Sequence, residues 1–272
     1  MSGLLLVATS VRSEVTVRGS TAVRHSNPMD SERDLFVGLD GCKAGWFAIA
    51  LHGWEEWETH TFSNMKGAWS ALFEADLMLI DIPIGLRDEG AEGRRCDVAA
   101  RRLLGRPRAS SVFTPPARPA LEFQRREDAS QRNYVLTGRG IGVQSWGIAP
   151  KIREVDRLLR EEPSARRTIR EAHPELLFWA LNGRTSMMAK KLHREGFEER
   201  VQVLSKVFPN SQRVIESARA AVRTREVARD DIVDALVLAV TGLLARGKLR
   251  TIPEVPEKDL FGLPMEMVYY LL

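Results

Sequence analysis

The 272-residue chain has only two cysteines, Cys42 and Cys96. That is too few for a disulfide framework or a thiolate zinc site, and it suits a reducing cytoplasm. Its longest apolar run, Ile232 to Ala245, is broken by Asp234 and falls short of the roughly 20 residues of a membrane span. Neither charge sign dominates: 40 Lys+Arg face 36 Asp+Glu, a net charge of +4, which permits a phosphate-bearing partner without demanding one. His-Glu-x-x-His, Cys-x-x-Cys and Gly-x-Ser-x-Gly are all missing, so zinc-protease, zinc-ribbon and α/β-hydrolase readings lose their usual support. Gly242 to Lys248 has phosphate-loop spacing but continues with Leu249 at a helix end, the wrong context. What is present, 44% hydrophobic and 28% charged residues, is the make-up of a folded globular chain with one large core.

Residues 1–33 lack a sustained period and read as a disordered extension, or as sequence ahead of a start at Met29. A single domain spans 34–272. Leu35 to Leu39 is an apolar strand closed by the turn dipeptide Asp40-Gly41. Phe47 to Leu51 and Glu55 to Phe62 complete an antiparallel meander. Met65 to Glu74 has helical spacing, and Leu77 to Ile80 is a strand that should lie parallel in the same sheet. The order β-β-β-α-β places the chain in the α/β class, with a central mixed sheet flanked by helices. Residues 85–150, rich in Gly, Pro and Arg, read as a loop-rich insertion holding one short helix, Cys96 to Leu104. Helices follow at Lys151 to Arg160, Glu175 to Leu181 behind Pro174, Lys190 to Val207, Ser211 to Val222 and Asp230 to Arg246, with a short strand at Arg167 to Ala172. Met265 to Tyr270 would add an edge strand.

Acids punctuate this pattern. Asp40 and Asp81 end apolar strands, Asp231 and Asp234 share one face of the most hydrophobic helix, and Glu171 and Glu175 bracket a strand-to-helix corner. Buried carboxylates are costly unless cations compensate them. Oxygen ligands clustered in this way suit Mg²⁺ or Mn²⁺, and two such ions can serve phosphodiester hydrolysis. Asp40-Gly41 also works as a plain turn, and Asp230 and Asp231 as plain helix caps. Asp234, inside an apolar helix, has no such structural use.

Six segments in order carry a resemblance: Val37-Gly38-Leu39-Asp40-Gly41-Cys42-Lys43-Ala44-Gly45-Trp46, Ile80-Asp81-Ile82-Pro83-Ile84-Gly85-Leu86, Arg95-Cys96-Asp97-Val98-Ala99-Ala100-Arg101, Ser111-Val112-Phe113-Thr114-Pro115-Pro116, Glu171-Ala172-His173-Pro174-Glu175 and Asp230-Asp231-Ile232-Val233-Asp234-Ala235-Leu236. Together they resemble an uncharacterised family described as predicted ribonuclease H-like nucleases, and Asp231 to Leu236 resembles the final-helix motif of RuvC-type Holliday-junction resolvases. The resemblance implies a ribonuclease H-like fold and a metal-dependent site. Asp40, Asp81, Asp231 and Asp234 would hold two Mg²⁺ or Mn²⁺ ions, with Glu171 as an extra catalytic acid.

The expected activity is hydrolysis of phosphodiester bonds in nucleic acid, with no membrane and no obligate protein partner. Arg95, Arg101, Lys190 and Lys191 are candidate substrate contacts. Two other functions fit parts of the pattern. One is an actin-like, sugar-kinase-type phosphotransferase, disfavoured because the chain has no Gly-Gly dipeptide for an adenosine site. The other is a non-catalytic nucleic-acid-binding module, which would have no use for clustered acids.

Overall fold

The computed structural model describes residues 17–20 and 34–272. In chain order, β1 (Val17–Ser20), β2 (Leu35–Cys42), β3 (Gly45–His52) and β4 (Glu56–Phe62) precede α1 (Met65–Leu72) and β5 (Leu77–Ile80). Then come α2 (Arg95–Arg108), α3 (Arg126–Thr137), α4 (Val143–Glu161), α5 (Ala165–Thr168), β6 (Ile169–Glu171) and α6 (Pro174–Leu181). The chain closes with α7 (Arg194–Val207), α8 (Ser211–Ala221), α9 (Arg229–Ala245), β7 (Arg250–Lys258) and β8 (Pro264–Tyr269). Strands β2 to β6 form a mixed sheet in the order β4-β3-β2-β5-β6, with β1 on the outer edge of β4. The antiparallel meander and the parallel β2–β5 pair are as the sequence predicts.

Several boundaries differ from expectation. β2 continues through Asp40 to Cys42, so Asp40-Gly41 is not the turn. The reversal falls at Lys43-Ala44, and Gly45 takes a positive φ of 132° there. The insertion is largely helical. Gly147 and Pro150 hide the first half of α4 from a sequence reading, and α2 carries Pro107 beyond a kink at Gly105. α7 begins at Arg194, which leaves Lys190 and Lys191 in the loop before it. The last strand, β8, pairs with β7 in a separate two-stranded sheet rather than at the edge of the main one. Most of the expected N-terminal extension, Met29 included, lies outside the described residues, although Val17–Ser20 pairs with β4.

Alternation along the strands sorts side chains between two layers. On one face Val37, Leu39, Trp46 and Ala48 pack under α1 and α4 through Met65, Trp69, Ile152 and Val155. On the other, Phe36, Phe47, Ile49, Leu77 and Leu79 pack against α9 and its neighbours. Helix α9 runs antiparallel to β2: Gly242 lies over Phe36, and Gly38 lies under Ala235 and Ala239. A Cβ on Gly38 would stand 2.0 Å from the Ala235 carbonyl oxygen and 2.5 Å from the Ala239 amide. Backbone atoms cannot swing aside, so Gly38→Ala should lift α9 off the sheet and cost about 1–3 kcal/mol, read as a lower urea midpoint. An unchanged midpoint would show that this approach is not tight.

Candidate active site

Strand parity explains which acids meet. Asp40 has the parity of Phe36 and Gly38, so it faces α9. Leu39 is in register with Ile80 on the parallel neighbour β5, which sets Asp81 beside Asp40 at the strand ends. The Asp81 amide donates to the Leu39 carbonyl at 3.1 Å, extending the ladder. From Gly38 to Asp40 the strand advances roughly 7 Å, and one turn of α9 back from Leu238 to Asp234 covers roughly 6 Å. Asp234 therefore arrives level with Asp40, and the close approach at Gly38 makes this possible.

Asp40 and Asp234 are buried. Burial pushes the Asp40 carboxyl well above the usual carboxylate range, and Asp81 and Asp234 push it further. Asp81 is also raised by burial, with His173 and Lys191 pulling down. Asp234 is driven by burial up to about 6, against the pull of Lys191. The Lys191 Nζ lies 2.7 Å from Asp234 Oδ2 and 3.3 Å from Asp230 Oδ2. Burial works to lower its pKa, but Asp234 and Asp40 outweigh that and keep it raised, so the ammonium stays charged. Among the described residues, Asp40 and Asp81 have no ion-pair partner within 4.0 Å. Asp40 does accept the Gly41 amide at 2.7 Å.

Two expected site residues do other work. Glu171 is in register with Ile80, so its side chain leaves the sheet on the face away from α9. There Arg94 clamps it with two bonds of 2.7 and 2.8 Å, and the Ile84 amide donates at 2.6 Å. The same guanidinium holds Asp97 at 2.6 Å. Cys96, Asp97 and Glu171 are the one group of three such side chains among the described residues whose ligand atoms lie within 4.8 Å of one another, a spacing that could hold a metal. Arg94 already supplies that charge, and burial raises the Cys96 thiol far from its thiolate. Asp231 accepts the Ala228 amide at 2.8 Å and so starts α9; burial raises its own carboxyl, and its charge raises Asp40 less than those of Asp81 and Asp234 do.

The structure supplies what the sequence reading left open or missed. Glu175, on the first turn of α6, faces Asp81 and Asp234 closely enough to raise both. Its Oε1 pairs with Arg200, while the buried Oε2 lies 3.8 Å from Arg108 Nε and accepts no hydrogen bond among the described residues. His173 caps α6 through Nδ1, which accepts the Glu175 amide at 3.2 Å, and its Nε2 meets the Ser111 carbonyl at 3.2 Å. Lys151 runs its stem over Gly41, where a Cβ would stand 2.6 Å from it, and its ammonium lies over Trp46. No motif marked it, because it comes from mid-helix.

The expected substrate contacts divide. Lys191 joins the cluster. Lys190 is exposed beside it. Arg95 reaches Glu257 at 3.3 Å on β7, and Arg101 holds the Val112 carbonyl and the Thr114 hydroxyl at 3.0 and 2.7 Å. Arg94, Arg108 and Arg118, from the same crowded stretch, are buried in structural contacts.

A protein-family model described as Protein of unknown function (DUF429) matches residues 38–258, a span that includes every acid named above. No curated protein and no solved structure matches the chain. Among the described residues, no helix is long and apolar enough to cross a membrane.

Proposed function

The chain belongs to this family of unknown function, and from its site we propose a metal-dependent phosphodiesterase acting on nucleic acid, on a fold of ribonuclease H-like type. The observation that carries the reading is charge. Carboxylates at the ends of β2 and β5 and on α9 act on one another's charge in a poorly solvated place, and of these only Asp234 has a cation within 4.0 Å among the described residues. The donors are all oxygen, the set that suits Mg²⁺ or Mn²⁺, and Glu175, whose Oε2 has an ion-pair contact with Arg108 at 3.8 Å but no hydrogen bond among the described residues, adds a fourth acid whose charge acts on Asp81 and Asp234. Asp40 and Asp81 would hold the ion, with Glu175 and Asp234 behind them. Bound there, the ion would supply Lewis acidity at a phosphoryl oxygen and lower the pKa of water.

Lys191 changes the expected stoichiometry. Two carboxylates without an ion-pair partner would be balanced by one divalent ion, and the Lys191 ammonium already neutralises Asp234, the carboxylate that would help to hold a second. In this reading the lysine neutralises the developing phosphate charge there, as a fixed cation that needs no reorganisation. Its loop is pinned for the task. Arg108 donates to the Met187 and Met188 carbonyls, both at 2.8 Å, and Glu199 accepts the Met188 and Ala189 amides. Titration calorimetry with Mn²⁺ should give one ion per chain for the wild type and two for Lys191→Ala. Two in the wild type would remove the lysine from this role.

Labelled single-stranded, duplex, hybrid and branched substrates incubated with Mn²⁺ test the activity. Cleavage of any of them that stops with EDTA supports it. Intact substrates throughout would overturn it.

A further inference from the structure

Asp40 and Asp81 line a cleft of about 140 Å³ together with the Arg94–Glu171 pair and His173, and its remaining lining is largely apolar, with Ile82, Pro83, Val112, Phe113, Ile148 and Met267. Resting on the phosphodiesterase reading, we propose that this cleft takes one unstacked nucleobase of the substrate, with Phe113 as its stacking platform and Lys151 on the adjoining phosphate.

Size decides first. Pockets for drug-sized ligands run from roughly 300 Å³ upward, so this one holds a single ring system. Chemistry decides next. A metal site needs no apolar wall, whereas a flat aromatic ring does, and stacking accepts every base because every base has a π-face. Phe113 is 37% exposed, as are Phe73, Phe123 and Phe261 to a similar or greater degree, but of these four it is the one that lines this cleft. It is held there rather than left loose. Arg101 ties down the residues on both sides, Val112 and Thr114, and the Ser111 carbonyl meets His173 at 3.2 Å. Both acids and Lys151, whose ammonium donates to the Gly45 carbonyl at 2.5 Å and keeps two further N–H groups, line the same cleft, so a base against Phe113 sets its own phosphodiester among them. A paired base stays in its stack and cannot enter, which makes the substrate a single strand, a flipped nucleotide or a free nucleotide.

The test uses 2-aminopurine, a base whose fluorescence is quenched by stacking, in three forms: the nucleoside, a single-stranded decamer with one internal 2-aminopurine, and that decamer in duplex. All are titrated in EDTA so that cleavage does not intervene. The wild type should quench the decamer saturably. Phe113→Ala should bind it about tenfold more weakly, within the range expected for one lost base–aromatic stack, and Phe113→Trp should restore binding. Quenching of the nucleoside to the same degree would support the pocket and identify free nucleotides as its ligands; quenching of the decamer alone would identify a strand. Equal response to duplex and single strand, no quenching, or no difference between wild type and Phe113→Ala would overturn the proposal. Because no turnover is read, a base pocket without cleavage would count against the phosphodiesterase alone. Equal cleavage of a strand made abasic beside the scissile bond would count against the pocket alone.

Discussion

Asp40→Asn should abolish cleavage while making the protein harder to melt. The carboxylate is buried with no ion-pair partner within 4.0 Å among the described residues, and Asp81 and Asp234 raise its pKa further than the more distant Lys191 lowers it, so in the metal-free protein its ionised form opposes folding. An amide of the same shape removes that charge. The gain should be about 1–2 kcal/mol, a rise of a few degrees in Tm at this chain length. Its sign with pH follows from the direction of the shift. An acid whose folded pKa lies above its unfolded value holds a proton that the unfolded chain has released, so the wild type loses stability as pH rises from about 4 through the raised folded value. The variant has no such loss, so its advantage should widen over that window and then level off. Activity should fall roughly 10²–10³-fold or more, because the amide cannot supply the charge that holds the ion. Melting curves from pH 4 to 8 and Mn²⁺-dependent cleavage check both halves. Lower stability in the variant would mean that Asp40 holds the fold together, and undiminished cleavage would take it out of the site.

The second large effect lies on the other face of the sheet. Arg94→Met leaves Glu171 and Asp97, both nearly fully buried, without the guanidinium they share. Breaking a buried ionic cluster by removing one partner costs about 3–5 kcal/mol, and the Ile84 carbonyl loses its donor as well. Even beside Arg94, burial drives the Glu171 carboxyl up to about 7. Protonation in the variant therefore relieves part of the strain at low pH, and the loss should be deepest in alkaline solution. A fall in Tm of about 6–20 °C at pH 8 is expected. If instead the variant melts like the wild type and takes up a metal ion, the Cys96, Asp97 and Glu171 group is a metal site and the clamp is incidental.

Much of this site could be read from residue order because its acids interrupt apolar runs. Asp234 inside α9, and Asp40 and Asp81 at strand ends, stand out for that reason. Glu171 looked equivalent, yet a strand side chain changes face with each residue. Only the β5–β6 register, Ile80 opposite Glu171, shows that it lies out of phase with Asp81. Glu175, one helical turn onward, reaches the α9 face instead. The meander and the parallel crossover were legible because each strand carries its own alternation and turn chemistry. The 85–150 stretch was not, since Pro107, Gly147 and Pro150 sit inside helices and read locally as breaks. Lys151 and Phe113 draw their meaning from what faces them across the cleft, and sequence spacing carries no trace of that.

Crystals grown with Mn²⁺ and examined by anomalous diffraction at the manganese edge put the central claim to its most direct test. One peak is predicted, between the carboxylates of Asp40 and Asp81, with the Lys191 ammonium still against Asp234. A peak among Cys96, Asp97 and Glu171, or none at either place, would contradict it.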